Sequence, residues 1–178
     1  MNEPGIRGER VFLRPPRDED FDVVYRLWNM REIYKYSDDA YWVPKTREAF
    51  REFFKEYHLG GGKPKPGCQN VVFVVEVPSL GVIGDCGIDI DWRRRRGEVW
   101  LEILPEHWGK GYGKEIVRLL ENYARSLNLE RLRAHVNGWN ERSKRLFTSL
   151  GWQLKAEIPE DDWFEGKLWP TYIFEKRL

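Results

Sequence analysis

The chain has 178 residues, a net charge of +1, 41% hydrophobic residues and 33% charged residues. This composition predicts one soluble globular domain, residues 1–178, and excludes a disordered chain. No apolar run approaches the roughly 20 residues of a membrane-spanning helix, and the balanced charge gives no general reason to expect nucleic acid as a partner.

The first part of the chain predicts one strand and two helices. An alternating pattern over Arg10–Arg14 indicates a short strand. Asp18 begins a helix that runs to about Met30, and Thr46 begins a second helix through Tyr57, because apolar residues recur there at helical spacing. The glycine- and proline-rich segment 60–67 is typical of a mobile loop.

The remainder predicts a sheet with two long helices. Short turns join three strands into an antiparallel meander, and an amphipathic helix follows. The predicted strands are Asn70–Val77, Val82–Asp91, Glu98–Leu104, Leu132–Val136, Trp152–Ile158 and Thr171–Glu175, and the helices are Gly113–Leu127 and Asn140–Leu150. The fold class is therefore α+β, with a mixed, mostly antiparallel central sheet of about six to seven strands and helices on both faces.

The glycines between the fourth predicted strand and the long helix indicate an anion site. Gly109, Gly111 and Gly113 remove side chains, so that consecutive backbone N–H groups can face one concavity at a helix N-terminus. Lys110 and Lys114 add positive charge. The simpler interpretation is a tight turn that uses glycine only for its backbone freedom. Neither the Walker pattern nor the dinucleotide-binding pattern fits this context.

The segment 98–120 resembles the acetyl-coenzyme A motif of the GNAT N-acetyltransferase superfamily. Gly111 and Gly113 fall on the two small positions of that motif, and Trp108 stands where Arg or Gln is usual. The segment Asn140–Trp152 is similar to a second motif of the family, and the first strand and helix also resemble it. Within the superfamily the chain is most similar to the ribosomal-protein N-terminal acetyltransferase branch.

The resemblance implies transfer of acetyl from acetyl-coenzyme A to a primary amine, and a sheet splayed between its fourth and fifth strands. It implies that backbone groups around Ile103 and Leu104 hold the pantetheine arm and the thioester. Asn140 would bond the same arm, although it also fits a helix N-cap. Arg142 or Lys144 would meet the phosphates. The expected cofactor-binding residues are Ile103, Leu104, Trp108, Gly109, Lys110, Gly111, Tyr112, Gly113, Lys114, Asn140 and Ser143.

Three residues are candidates for catalysis. The position of the usual tyrosine acid holds Phe147, which cannot donate a proton, so the resemblance implies that Ser143 serves the leaving thiolate. Glu102, on the fourth strand, and Asp162, in a loop after the sixth, are alternative bases. Each also fits an ordinary solvated residue, and an ordered water chain is a further alternative to both acids.

The expected partner is an amine, either a peptide N-terminus or a small cationic amine such as a polyamine or an aminoglycoside. Acidic walls would attract such a cation, and ordinary surface charge is the simpler interpretation. The basic run Arg93–Arg96 is either an RNA contact or a solvated hairpin tip. The acidic residues in predicted cleft segments are Asp38, Asp39, Asp85, Asp89, Glu160, Asp161 and Asp162.

Other expectations are less specific. The two cysteines and three histidines show no metal-ligand spacing, so we expect no metal, reduced thiols and a cytoplasmic location. We expect neither a membrane nor a nucleic acid as a partner, and the sequence leaves open whether the chain forms a homodimer. The functional alternative is a module that binds an acyl-coenzyme A without catalysis, which the phenylalanine at position 147 motivates.

Overall fold

A computed structural model describes residues 4–37 and 43–178. It shows one eight-stranded sheet with the strand order β1-β2-β3-β4-β5-β6-β8-β7, in which every described pairing except β5 with β6 is antiparallel. The strands are β1 (Ile6–Arg7), β2 (Phe12–Arg14), β3 (Cys68–Val77), β4 (Gly81–Asp91), β5 (Arg96–Ile103), β6 (Arg131–Asn137), β7 (Gln153–Phe164) and β8 (Lys167–Arg177).

Helices cover both faces of this sheet, as the sequence predicts. The helices are α1 (Phe21–Leu27), α2 (Arg31–Tyr34), α3 (Arg47–Phe53), α4 (Tyr112–Ser126) and α5 (Glu141–Ser149). Apolar residues of α4 and α5, including Ile116, Leu120 and Phe147, join the large buried cluster on one face. On the opposite face α1 and α3 pack Phe21, Val24 and Phe50 around Val74 of β3. Since odd and even strand residues point to opposite faces, both clusters follow from the apolar β3 sequence.

The two central strands separate along their length. β5 and β6 pair in parallel only from Arg96 to Glu98 on β5 and from Arg131 to Arg133 on β6. Beyond Glu98 and Arg133 the two strands no longer pair, so an opening forms between them in the middle of the sheet. This confirms the predicted splay between the fourth and fifth predicted strands.

The structure corrects several predicted boundaries. The first predicted strand is β2, and β1, which pairs with it in a hairpin, was not predicted because two residues are too few to produce a periodic signal. The first helix ends at Leu27, and α2 follows as a separate turn. The sixth predicted strand continues as β7 through Phe164, because bulges let it stay paired with β8. Within the described residues, no helix is long and apolar enough to span a bilayer.

Candidate active site

A cavity of about 650 Å³ opens where β5 and β6 separate. Its walls come from the turn after α2, from β5, from the glycine loop (residues 108–114) and from the first turns of α5. Ten predicted site residues line it, namely Glu102, Ile103, Trp108, Gly109, Gly111, Tyr112, Gly113, Lys114, Asn140 and Ser143, whereas Leu104, Lys110 and Asp162 do not.

The glycine loop suits a phosphate group. Gly109 and Gly111 have φ values of 73° and 84°, which side chains of L-residues rarely adopt. Gly111 is also the N-cap of α4, and no side chain caps this helix, so its first backbone N–H groups are left for a ligand. Gly113 lies in the first turn of α4, where the predicted helix begins, and its φ is not positive. These features fit the phosphates of acetyl-coenzyme A.

Arg10 holds this loop from the β1–β2 hairpin. Its Nη1 donates to the carbonyl of Lys110 at 2.8 Å, and its Nε donates to Glu115 of α4 at 3.1 Å. The backbone N–H groups of Arg10 and Val11 also donate to the Glu115 carboxylate. Lys110 therefore contributes its carbonyl to the loop's support. The sequence analysis missed Arg10, which is about 100 residues away along the chain.

The open edge of β5 presents different backbone groups from those predicted. The N–H of Leu104 donates to the carbonyl of Ile83 on β4 at 2.9 Å, so Leu104 is not available to the cavity. The carbonyl of Ile103 accepts from the Trp108 indole at 2.6 Å, on the opposite edge. Since both backbone groups of a strand residue face the same edge, Ile103 and Leu101 are the residues directed toward the opening.

The first turn of α5 closes the cavity on the far side. The Asn140 side chain accepts from the Ser143 N–H at 3.1 Å, so Asn140 is the N-cap, and its amide nitrogen is a donor for a cofactor. Arg142 lies 3.6 Å from the centre of the Trp108 ring, and partial burial lowers its pKa. Lys144 instead donates to the carbonyl of Gly138, away from the phosphate site.

Four acidic side chains and one tryptophan lie on the other face of β4 and β5, which we call the acceptor face: Asp85, Asp89, Glu98, Glu102 and Trp100. In the β4–β5 register Asp85 lies opposite Glu102, and Asp89 lies opposite Glu98. Glu98 and Glu102 line the cavity, with Trp100 between them. Asp89 is exposed to solvent, yet desolvation by its neighbours, and then the charge of Glu98, raise its pKa to about 6.

The acceptor face is covered by a π-helical turn, Phe54–Leu59, that continues α3. Its Tyr57 ring lies 6.1 Å from Trp100, and its His58 contacts Asp85. Burial, followed by the charges of Asp89, Asp85 and Glu102, raises the pKa of Tyr57 well above its ordinary value. The sequence analysis predicted the helix but not that His58 would point into the sheet.

Asp162 does not share this cavity with Glu102. It lies in β7 rather than in the predicted loop, and its carboxylate accepts from Asn137 at 3.1 Å and from Thr171 at 2.9 Å. It lines a separate polar recess of about 190 Å³. His135, which the sequence analysis left without a role, lines both spaces and lies 3.7 Å from Glu98.

The other acidic and basic residues that the sequence analysis named lie at several separate places. Asp38 and Asp39 fall outside the described residues, and Glu160 and Asp161 are exposed on β7. In the basic run, Arg94 pairs with Asp91 and Arg95 donates to the carbonyl of Asn128. These local contacts support the interpretation of a solvated hairpin tip.

The chain is similar to known acetyltransferases over nearly its whole length. It is 31% identical over 170 residues to the uncharacterized N-acetyltransferase p20 of Bacillus licheniformis, covering 93% of this chain and 92% of that protein. It is 28% identical to the spermidine N(1)-acetyltransferase of Escherichia coli K12, covering 88% of this chain and 80% of that protein. The crystal structure of spermidine N-acetyltransferase from Vibrio cholerae with CoA and spermine has the same fold, with a TM-score of 0.78, 21% identity and 96% of each chain covered.

The family model of the acetyltransferase (GNAT) domain matches residues 10–153, which include the glycine loop, β5 and the first turns of α5. These are the elements that form the cavity at the splay. The chain therefore belongs to the GNAT acetyltransferase family and is an acetyl-coenzyme A-dependent N-acetyltransferase.

Proposed function

We propose that this enzyme acetylates a small amine that carries two or more positive charges, such as a long polyamine. The observation that carries the proposal is the row of carboxylates along the acceptor face, where Glu98 and Glu102 line the cavity and Asp89 lies beside Glu98. Such a row attracts cations and orients them along the strand.

The spacing of the row favours a long acceptor. Glu98 and Glu102 are four residues apart on one face of β5, which corresponds to about 13 Å along a strand. A long polyamine places its terminal ammonium groups at a comparable distance, whereas a short diamine spans about half of it. We infer that one ammonium lies at Glu102, beside the open β5 edge, and that the other lies between Asp89 and Glu98.

The chemistry needs few groups. When bound, acetyl-coenzyme A supplies a thioester whose C–S bond breaks as the amine nitrogen forms its bond to the acetyl carbon. Glu102 takes one proton from the acceptor ammonium, and Ser143 donates a hydrogen bond to the leaving sulfur, which receives the other amine proton. Ile103 and Leu101 direct backbone groups toward the cavity, and the glycine loop and Asn140 orient the cofactor. Asp162 stays a second candidate base.

Relatives support a small-amine acceptor. Two of those similar over most of this chain are spermidine N(1)-acetyltransferases of Vibrio cholerae and Escherichia coli, at 26% and 28% identity. The uncharacterized relative at 31% identity gives no substrate. The ribosomal-protein N-terminal branch, and with it a peptide acceptor, stays an alternative that the acceptor assay must address.

The test is a length series of linear diamines at a fixed concentration of acetyl-coenzyme A, with thiol release as the readout. We expect kcat/KM to rise from diaminobutane to diaminodecane, and the matched monoamine decylamine to be a poorer substrate because it lacks the second charge. If Glu98→Gln no longer prefers diaminodecane over decylamine, the group that recognises the second charge lies on the acceptor face. Equal kcat/KM for decylamine and diaminodecane would contradict the proposal.

Two further arms address the alternatives. A peptide with a free N-terminus and no basic side chain should react more slowly than diaminodecane, and faster turnover would favour the ribosomal-protein branch. Calorimetric binding of acetyl-coenzyme A without turnover on any of these amines would instead support a binding module that senses the cofactor.

A further inference from the structure

A buried His–Asp pair lies under the acceptor face. The side chains of His58 and Asp85 are both 0% exposed, and their Nε2 and Oδ2 atoms are 2.9 Å apart. The Trp28 indole of α1 donates to the same Asp85 oxygen at 2.8 Å. His58 reaches this position because it belongs to the π-helical turn, a rare conformation that is frequent at functional sites.

The pair is costly to bury. Asp85 Oδ1 and His58 Nδ1 have no hydrogen-bond partner among the described residues. Burying a polar atom without a partner is unfavourable, and the Phe54 ring stacks on His58 at 5.0 Å, so the histidine packs against an apolar group. Apolar side chains of the same size would fill this space without that cost. Packing alone therefore does not explain why two polar side chains are buried at this place.

The position of Asp85 next to Glu102 indicates a functional role. It lies directly opposite Glu102 in the β4–β5 register, where the Cβ atoms of facing residues are about 4.5–5.5 Å apart. A neighbouring carboxylate makes protonation of a carboxylate more favourable. Glu102 lines the cavity at the point where the acceptor amine must lose a proton, whereas Asp85 is covered by the π-helical turn.

We propose that the His58–Asp85 pair is a positioning unit for acetyl transfer, which places a second carboxyl group beside Glu102 and so increases the affinity of Glu102 for the proton of the acceptor. This inference rests on the proposed role of Glu102. The ammonium loses one proton to Glu102, its nitrogen bonds to the acetyl carbon as the C–S bond breaks, the second proton goes to the sulfur, and Glu102 releases its proton to water.

Other titratable groups lie around this pair and around the cavity at Glu102, and the variants below leave them unchanged. On the strands and the covering turn they are Asp89 of β4, Glu98 of β5, Tyr57 beside His58, His135 of β6 and His107 after β5. Asp91 provides the control, because it lies on the same face of β4, pairs with Arg94 at the hairpin tip and does not line the cavity.

The experiment is the pH dependence of kcat/KM with diaminobutane, which is too short to reach Asp89 from Glu102, at saturating acetyl-coenzyme A. In Asp85→Asn we expect the acidic limb to move to lower pH by about one pH unit, since the neighbouring negative charge is gone. Affinity for acetyl-coenzyme A should stay within three-fold of wild type. In Asp91→Asn the limb should stay in place.

A second variant keeps the test decisive if Asp85→Asn does not fold. Trp28→Phe preserves an aromatic ring but removes one donor to Asp85, so the carboxylate is less well stabilised, and we expect a smaller shift in the same direction. If the folded variants lose thermal stability while the acidic limb stays at the wild-type pH, the pair is structural and the inference is overturned. Full activity of Glu102→Gln would overturn the inference as well, because the base would then lie elsewhere. The proposed acceptor class survives both results, and fails instead if decylamine and diaminodecane have equal kcat/KM.

Discussion

The two ends of the active site are built in different ways. At the proposed cofactor end, backbone N–H groups of the glycine loop and of α4 form the candidate anion site, within one continuous segment of the chain. At the acceptor end, side chains from α1, the π-helical turn, β4 and β5 meet on one face. The first kind of site is specified by local backbone conformation, whereas the second depends on strand register and on how the helices dock.

This difference predicts where substitutions act. Changes at the glycine loop should weaken cofactor binding whichever acceptor is used, since the loop is the proposed phosphate site. Changes on the acceptor face should alter catalysis or acceptor preference and leave cofactor affinity intact. The predictions below probe that separation.

The largest effect is expected for Glu102→Gln. Loss of the proposed base should lower kcat by about 10²–10⁴-fold, while the Kd for acetyl-coenzyme A measured by calorimetry stays unchanged. Glu98→Gln is the matched control on the same face, and should mainly raise KM for long diamines. If Glu102→Gln keeps kcat within three-fold and Asp162→Asn lowers it strongly, the base is in the recess at β7.

A smaller effect, about ten-fold in Kd for acetyl-coenzyme A, is expected for Gly111→Ala. The φ of 84° is strained for alanine by roughly 1–2 kcal/mol, and its Cβ would lie 3.2 Å from Arg10. Gly113→Ala is the same change in the next-but-one residue, where φ is ordinary and the nearest side chain is at 3.5 Å. Equal losses in both variants would contradict the specific need for glycine at position 111.

Ser143→Ala should lower kcat by about ten-fold without affecting the helix cap. The cap uses the backbone N–H of Ser143, so removing the hydroxyl leaves it intact and isolates the interaction with the sulfur. Thermal denaturation checks stability, and Thr148→Ala on the exposed side of α5 provides the control. An unchanged kcat would assign Ser143 to the helix alone.

The raised pKa of Asp89 predicts a pH effect on acceptor preference. Below about pH 6 this carboxyl binds a proton and loses its attraction for the distal ammonium. The KM for diaminodecane should therefore rise about three-fold to five-fold between pH 7.5 and pH 5.5, relative to diaminobutane. In Asp89→Asn the two amines should show the same pH dependence of KM, and a persisting difference would point to another group.

The smallest effect separates the two roles of Asn140. Asn140→Asp keeps the oxygen that caps α5, so the free energy of unfolding should be retained, but it removes the amide donor and weakens acetyl-coenzyme A binding. Asn140→Ala should lose the cap as well, at about 1 kcal/mol in denaturant unfolding. If both variants bind the cofactor like wild type, Asn140 is a cap only.

The sequence predicts the proposed cofactor end better than the acceptor end. The meander, the long helices and the glycine loop follow from periodicity and from glycine positions, and each lies within one or two residues of its predicted place over Val82–Asp91 and Gly113–Leu127. By contrast, the sequence analysis assigned Leu104 to the cavity, yet its N–H donates to β4. The sequence of one strand does not show which of its residues direct their backbone groups toward a given neighbouring strand.

The acceptor face shows the same limit. Glu102 and Asp85 were both noted as acids, but their direct opposition depends on the β4–β5 register, and a one-residue slip would turn one of them to the other face. His58 reaches Asp85 through a π-helical turn that helical periodicity does not distinguish from an α-helix. Asp162 was placed in a loop because the β7–β8 bulges that keep it paired depend on both strands.

The sequence by itself determined the family, the cofactor end and the helix cap, because positive φ values, capping and helical periodicity depend on residues only a few positions apart. The tertiary structure alone decided which backbone groups line the splay, and which acids share the acceptor face. Those features require strands and helices distant in sequence to meet in one register, and that register is set by packing across the whole sheet.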